Sequence, residues 1–268
     1  MRSLTYLVTD IPALKEYLNS DDIQSSCVSS KSILIQIFSS ITDREMLDRV
    51  TDALLSAMPE AVITGSTSVG EIMHGVLSIG TVILSMSFFE DTLVKAYTVE
   101  EPDGREISAG EELIGRIVRS EGNVAGVLML ATALSIDISK LFKGMRSLSF
   151  SFPVFGGSAG VYNPNLNSMI FLEKKYINRG AIAVVLISEN LKIRTRTFLG
   201  WNPLSKELTM TEADGLLLKK IDGERAFDVY NRYLDIQNDE NFFNNALEFP
   251  ILVKRNGEWI ARVPFFCG

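Results

Sequence analysis

Short apolar runs and helically spaced apolar residues alternate along the first part of the chain. The run ILIQIF at 33–38 is typical of a buried strand. Apolar residues at helical spacing then predict a helix over about 43–58, with Thr42 and Glu45 at the spacing of a capping box. The run AVIT at 61–64 predicts a second strand. This strand leads directly into a segment of glycines and small hydroxyl residues, GSTSVG.

Two more strands and a second helix are predicted next. TVILSMSF at 81–88 and LVKAYTVE at 93–100 have the composition of strands. A helix fits 109–120, where Ser108 and Glu111 repeat the capping-box spacing.

The same order of elements then recurs. GVLMLA at 126–131 predicts a buried strand, and ISKLFKGM at 138–145 predicts a short helix. PVFGGSAG at 153–160 is a strand that runs into a second Gly/Ser loop, and 180–200 contains two further strands. The two series lie about 90–100 residues apart, which indicates an internal duplication.

This repetition predicts an α/β (α+β) fold with layered mixed β-sheets flanked by helices. We expect two similar β-α-β-β-β halves, at about 30–105 and 125–200. The last part differs, with an apolar helical face over 226–234 and a hairpin signal at Asn256-Gly257. Because the sequence stops directly after an apolar strand, we expect a partial second domain there.

Composition limits the classes of partner. Hydrophobic residues make up 46% and charged residues 22%, as in ordinary globular proteins, and the formal net charge is -7. An acidic chain without a basic cluster is not expected to bind nucleic acid or an anionic membrane. The longest apolar stretch, about 75–89, is interrupted by Gly and Ser and is shorter than the roughly 20 residues of a membrane span. With no signal-peptide pattern and only Cys27 and Cys267, we expect a cytoplasmic protein without disulfides.

The two Gly/Ser segments, GSTSVGEI at 65–72 and GGSAG at 156–160, do not fit a phosphate-binding loop. A P-loop needs a lysine after its glycines, and neither segment contains one.

Nucleophilic catalysis and metal binding also fit poorly. GGSAG matches G-x-S-x-G around Ser158, but the one histidine, His74, precedes it, whereas hydrolases of that type place histidine after the serine. A pairing of Cys27 with His74 is formally open, although the Ser-rich surroundings of Cys27 suggest a loop. One histidine and two distant cysteines do not make a zinc site. His74 as an axial haem ligand stays open.

Two interpretations of the Gly/Ser segments remain. Glycines allow close approach of a ligand to the backbone, and Ser66, Thr67, Ser68 and Ser158 offer short hydroxyl groups. Facing each other from two halves, the segments would form a small polar pocket suited to a carboxylate or zwitterion. Alternatively, they are tight turns that need glycine for backbone reasons.

Several motifs in order resemble the FIST domain family: GSTSVGEI, then VFGGSAG, then LGW leading to TEADGLLLKKIDGERAFDVYNRYL. The resemblance implies a non-catalytic sensory input domain of intracellular signal transduction in bacteria, binding an amino acid-like ligand or small carboxylate. It implies an N-terminal FIST region over 1–212 and the beginning of a C-terminal FIST region over 213–268, cut short. It also implies an attached output module: a diguanylate cyclase, a cyclic-dinucleotide phosphodiesterase, a histidine kinase or a chemoreceptor.

The resemblance also assigns ligand-binding positions. No cofactor is expected, although some members bind haem through a histidine, a role for which His74 is the candidate; a hydrolase using Ser158 is the other alternative. The positions that match the family motifs are Gly65, Ser66, Thr67, Ser68, Gly70, Glu71, Gly156, Gly157, Ser158 and Gly160.

Overall fold

The computed structural model describes residues 1–100, 102, 104–132, 135–161, 167–196, 199–214, 217–255 and 257–264. The chain forms two compact units, Met1–Thr195 and Arg196–Gly268. The division predicted after residue 212 concerns the two FIST regions and stays a prediction.

The first unit contains twelve of the described strands and five of the described helices. In chain order they are β1 (Arg2–Leu7), β2 (Ser32–Ser39), β3 (Val62–Thr67), β4 (Glu71–Met73), β5 (Val76–Ser78), β6 (Val82–Phe89), β7 (Leu93–Glu100), β8 (Val124–Ala131), β9 (Val154–Ser158), β10 (Ile170–Leu172), β11 (Lys175–Ile177) and β12 (Gly180–Ile187). Its helices are α1 (Ile11–Leu18), α2 (Asp21–Val28), α3 (Arg44–Ala57), α4 (Glu106–Ser120) and α5 (Ile138–Met145).

These strands form two mixed sheets and one separate hairpin. The larger sheet has the order β1-β6-β2-β3-β10-β11, and the smaller has the order β7-β12-β8-β9. Within them, β2–β3 and β8–β9 are parallel pairs, as expected for strands joined by a crossover helix. The hairpin β4–β5 forms its own two-stranded sheet. The predicted α/β class, with mixed sheets flanked by helices, is confirmed.

In the first unit, the buried apolar side chains form three layers. These lie between four layers of backbone, which are helices α1–α3, the larger sheet, the smaller sheet and helices α4 and α5. One core lies between α1–α3 and the larger sheet, with Ile35 and Ile37 from β2 fully buried. Residues of both sheets, such as Leu34 and Leu130, share the second core. The third lies between the smaller sheet and the pair α4 and α5. Because side chains alternate along a strand, the long apolar runs supply both faces of each sheet.

The observed helix starts correct the predicted capping boxes. Asp43, rather than Thr42, caps α3, and its carboxylate accepts a hydrogen bond from the Glu45 N–H at 3.0 Å. An ionised carboxylate also interacts favourably with the positive end of the helix, which a threonine hydroxyl does not. Helix α4 begins at Glu106, so Ser108 lies inside the first turn and its hydroxyl donates to the Arg105 carbonyl oxygen.

The Gly/Ser segments are partly strand rather than loop. Strand β3 continues through Thr67, and β9 includes residues 156–158, because both stretches pair with a neighbouring parallel strand. The second strand expected within 180–200 is absent from the described residues 191–196, which have no strand assignment. Cys27 lies in α2 and not in a loop.

The two halves share pairings that support the predicted duplication, which itself stays a prediction. Strand β6 pairs antiparallel with β2 as β12 pairs with β8: Leu84 lies opposite Ile37, and Ala183 lies opposite Met129, each the sixth residue of its strand. The hydroxyl of Ser40 accepts from the Thr81 N–H, and that of Thr132 accepts from the Gly180 N–H. Corresponding positions therefore make corresponding hydrogen bonds.

The second unit is smaller. Its elements are β13 (Met210–Asp214), β14 (Leu217–Ile221), β15 (Glu224–Arg225), α6 (Ala226–Leu234), α7 (Phe242–Leu247), β16 (Ile251–Arg255) and β17 (Glu258–Arg262). The predicted helix over 226–234 is confirmed, and β16 and β17 form the predicted hairpin, in which Gly257 has φ +86°. Asn256, at the predicted turn of this hairpin, lies outside the described residues.

Candidate functional site

The ends of the two Gly/Ser segments touch each other. The Gly160 N–H donates to the Thr67 carbonyl oxygen at 2.9 Å. A Cβ atom at Gly160 would lie 3.0 Å from Cγ2 of Val69, so glycine allows this close crossing. The chain leaving β3 therefore crosses the chain leaving β9 at Gly160.

Residues 65–67 are built into the larger sheet. Gly65 lies beneath Phe171, and a Cβ there would lie 2.3 Å from the Phe171 ring and 2.5 Å from the Ile37 carbonyl oxygen. The Thr67 hydroxyl accepts from the Met169 N–H at 3.0 Å. Ser66 is 6% exposed, and its hydroxyl makes no hydrogen bond to another described residue. Of the two side chains in this stretch, only that of Ser66 makes no hydrogen bond within the described residues.

Glu71 is a buried carboxylate held by hydroxyl groups. It is 3% exposed, and its Oε2 accepts from Ser40 at 2.9 Å and from Thr81 at 2.5 Å. Its Oε1 accepts from the Ser68 hydroxyl. The Ser40 hydroxyl in turn accepts from the Gly80 N–H at 2.7 Å. Glu71 therefore has a structural role. Its hydrogen bonds connect the end of β2 and the start of β6 with the crossing segment, residues 68–70, that follows β3.

Residues 156–158 are exposed at the last strand of the smaller sheet. Gly156 has φ +142°, and a Cβ there would lie 1.9 Å from the Met129 carbonyl oxygen. At Gly157 a Cβ would meet no atom within 4 Å. Ser158 pairs with Ala131 and therefore faces the α4 and α5 side, where its hydroxyl has no partner among the described residues. Gly157 and Ser158 can thus contact a ligand without disrupting the fold.

The predicted ligand-binding positions consequently separate into two groups. Ser68, Glu71 and the Thr67 hydroxyl are hydrogen-bonded within the protein. The hydroxyl groups of Ser66 and Ser158 make no hydrogen bond to a described residue, and Gly157 has no side chain. Two cavities, of about 460 Å³ between β7 and α4 and about 630 Å³ in the second unit, are lined by other residues.

His74 does not fit a haem site in this structure. It lies at the exposed turn of the β4–β5 hairpin with φ +52°, and it lines neither of those two cavities. A haem ligand requires an apolar slot around the porphyrin. The described residues also contain no group of three or more His, Cys, Asp or Glu that could hold a metal ion. Burial raises the pKa of the Cys27 thiol, which disfavours the reactive thiolate.

A polar network at the smaller sheet was not predicted from the sequence. The Tyr97 hydroxyl donates to the Glu121 carboxylate, and Lys95 Nζ lies 2.9 Å from its Oε2. Burial opposes the charge of Glu121, but the hydrogen bonds from Tyr97 and Lys95 outweigh it and lower the pKa of that carboxyl. Burial and then the Glu121 hydrogen bond raise the pKa of Tyr97 to about 12. The signal for this network in the sequence was the alternation along β7, which places Lys95 and Tyr97 on the same face of the strand.

Comparison with known proteins gives one match. The family model described as the FIST N domain matches residues 33–224. A comparison with curated proteins finds no match. No helix in the described part of the chain is long and apolar enough to span a membrane.

Proposed function

We propose that this chain, which belongs to the FIST N domain family, senses a small amino acid-like or carboxylate ligand where its two Gly/Ser segments meet. FIST domains are sensory modules of signal transduction. The observation that carries the proposal is the joining of these segments by the Gly160–Thr67 hydrogen bond, next to the exposed Ser158, whose hydroxyl has no partner among the described residues.

The chemistry of the accessible groups favours this class of ligand. Ser158 can donate to a carboxylate oxygen or accept from an ammonium group. The Ala159 N–H bonds to the Ala131 carbonyl oxygen, so Gly157 and Ala159 point their backbone groups toward β8. The backbone groups of Ser158 therefore lie on the other edge of β9, beside the open space at Gly157. None of the ten predicted positions is cationic, so binding would rest on hydrogen bonds rather than on an ion pair. A small ligand with its own donors and acceptors suits such a surface better than a phosphate.

Signalling would then follow from a change between two conformations. A ligand shifts such an equilibrium only when it binds one conformation more tightly. The output would belong to an attached module in the cytoplasm, such as a diguanylate cyclase, a cyclic-dinucleotide phosphodiesterase, a histidine kinase or a chemoreceptor. Neither nucleic acid nor catalysis by this chain is part of the proposal.

A thermal-shift screen tests the proposal. The purified chain is melted with each proteinogenic amino acid and with small mono- and dicarboxylates. At a concentration 100 times its Kd, a ligand stabilises the folded state by about 2.7 kcal/mol, which raises the melting temperature. Ser158→Ala should reduce the shift, whereas Ser147→Ala, at an exposed serine elsewhere, should not. A panel without any shift, or a shift that Ser158→Ala leaves intact, counts against this site.

A further inference from the structure

The β4–β5 hairpin exposes large apolar side chains. Ile72 is 73% exposed, and Leu77, its partner across the hairpin, is 63% exposed. Val76 is also 63% exposed, and Ile79, which follows the hairpin, is 50% exposed. Such a cluster on a short hairpin commonly marks a surface that is covered in another state.

The corresponding hairpin in the second half, β10–β11, is inserted in a sheet. Its turn residue Glu173 has φ +53°, as His74 has φ +52°, so the two hairpins have the same turn position. Strand β10 pairs antiparallel with β3, with Phe171 opposite Gly65. Phe171 is fully buried, although it occupies the position of the exposed Ile72. One hairpin therefore shows where the other could bind.

Strand β9 offers the corresponding edge. Gly65 pairs with Ile37 of β2, and Gly156 pairs with Met129 of β8, so the two glycines hold corresponding positions. Whereas β3 has β10 on its other side, β9 is the last strand of its sheet within the described residues. Residues 156–158 are exposed there. Unpaired strand edges are ready partners for another strand.

The end of β9 and the start of the β4–β5 hairpin are already adjacent. Gly160, just after β9, bonds to Thr67 and contacts Val69, just before β4. On β3, the Thr67 N–H donates to the carbonyl oxygen of Met169, just before β10, and this contact opens their antiparallel pairing. The corresponding pair is the Ser158 N–H and the carbonyl oxygen of Gly70, just before β4. Because Gly70 follows Val69, the crossing at Gly160 brings these two groups near each other.

We propose that the β4–β5 hairpin has a closed position in which β4 pairs antiparallel with β9 of the same molecule. The register of β10 on β3 places Ile72 opposite Gly156 and Met73 opposite Phe155. Ile72 then covers Gly156 as Phe171 covers Gly65, and the edge of the smaller sheet is closed. Because the residues just before β4 already lie beside the end of β9, the hairpin of the same chain pairs with β9 more readily than that of a second copy. The closed position does not require a ligand, but it covers Gly157 and Ser158, so it would compete with the ligand of the proposed function. The tests below are therefore made without ligand, and their outcome does not depend on the thermal-shift screen.

Disulfide trapping tests the closed position. In a Cys27→Ser, Cys267→Ser background, the pair Met73→Cys/Phe155→Cys should oxidise to an intramolecular disulfide, seen as a monomer that loses both thiols. The control pair Thr64→Cys/Leu172→Cys occupies the same register in β3 and β10 and should oxidise too. Val76→Cys/Phe155→Cys should stay reduced, because β5 would lie one strand further, about 10 Å away, beyond disulfide reach. Absence of the monomeric disulfide in the folded Met73→Cys/Phe155→Cys variant, or formation of a dimer only, overturns the proposal.

Hydrogen exchange gives a second readout, measured on the protein that carries only the Cys27→Ser and Cys267→Ser substitutions. Closure protects the backbone amides of 154–158, and Ile72→Ser/Leu77→Ser removes the apolar contacts that favour it. These two side chains are exposed in the open structure, so their replacement leaves that structure intact. We expect the peptides over 154–158 to exchange several-fold faster in the double variant. Equal exchange rates overturn the closed position.

Discussion

Gly65 and Gly156 make the same close approach to a neighbouring parallel strand. A Cβ atom at Gly65 would lie 2.5 Å from the Ile37 carbonyl oxygen, and one at Gly156 would lie 1.9 Å from that of Met129. The two glycines of the family motifs are therefore required by the backbone, whatever the segments bind. Their neighbours differ, because Phe171 covers Gly65 while Gly156 is exposed.

Replacement of Gly156 and of Gly157 by alanine should have opposite outcomes. Gly156→Ala introduces a clash with Met129 at a positive φ, and we expect a loss in the free energy of unfolding of about 1–3 kcal/mol or more. Gly157→Ala adds a methyl group in open space, and we expect a change within about 0.5 kcal/mol. Urea denaturation measures both. Equal losses in the two variants would show that Gly156 does not make this close approach.

Glu71→Gln should destabilise the fold even though the change is nearly isosteric. The amide keeps one acceptor oxygen, while its NH₂ group faces hydroxyls that now donate to a carboxylate. Loss of charged hydrogen bonds in a buried position costs about 1–3 kcal/mol. Urea denaturation of Glu71→Gln is compared with Glu60→Gln, at an exposed glutamate. If the two variants are equally stable, the hydroxyl cluster does not hold the crossing segment.

The Glu121 network should make stability depend on pH in the acid range. The folded-state pKa of Glu121 is lowered, so the native protein binds this proton more weakly than the unfolded chain does. Its contribution is therefore present above the unfolded pKa of about 4.3 and is lost as pH falls through the folded pKa. Glu121→Gln should be less stable than the parent at pH 7, by about 1 kcal/mol, because the partner Lys95 is half exposed.

Chemical denaturation at pH 7 and at pH 3 measures that difference. The difference in stability between the parent and Glu121→Gln should narrow at pH 3. Glu111→Gln, at an exposed position of α4, should differ little from the parent at either pH. If the difference in the free energy of unfolding between the parent and Glu121→Gln is the same at pH 7 and pH 3, the network does not stabilise the ionised form of Glu121.

Much of the first unit could be predicted because its long strands are apolar on both faces. The runs 33–38 and 126–131 lie between two cores each, so composition alone identified them. The hairpins β4–β5 and β10–β11 were missed because three-residue strands carry no periodicity. Strand β1 and helices α1 and α2 also went unpredicted.

The site was predicted only as far as its two segments. The glycines were expected to allow a ligand to approach the backbone closely, and that expectation stays a prediction. The close approach that the structure shows at Gly160 is between the two segments themselves. What could not be found was the use of Glu71, since its partners Ser40 and Thr81 lie 31 and 10 residues away in other segments. Gly65 was assigned to a loop because glycine disfavours strands, but the close approach to Ile37 outweighs that preference.

The most direct test of the sensory account is a titration followed by backbone amide resonances. The chain, labelled with ¹⁵N, is titrated with the amino acid or carboxylate that most raises its melting temperature. The account predicts that resonances of 65–71 and 156–160, above all Gly157, Ser158 and Gly160, shift saturably with the ligand concentration. Saturable shifts confined elsewhere, such as around Trp201 and Tyr230 in the cavity of the second unit, would contradict it.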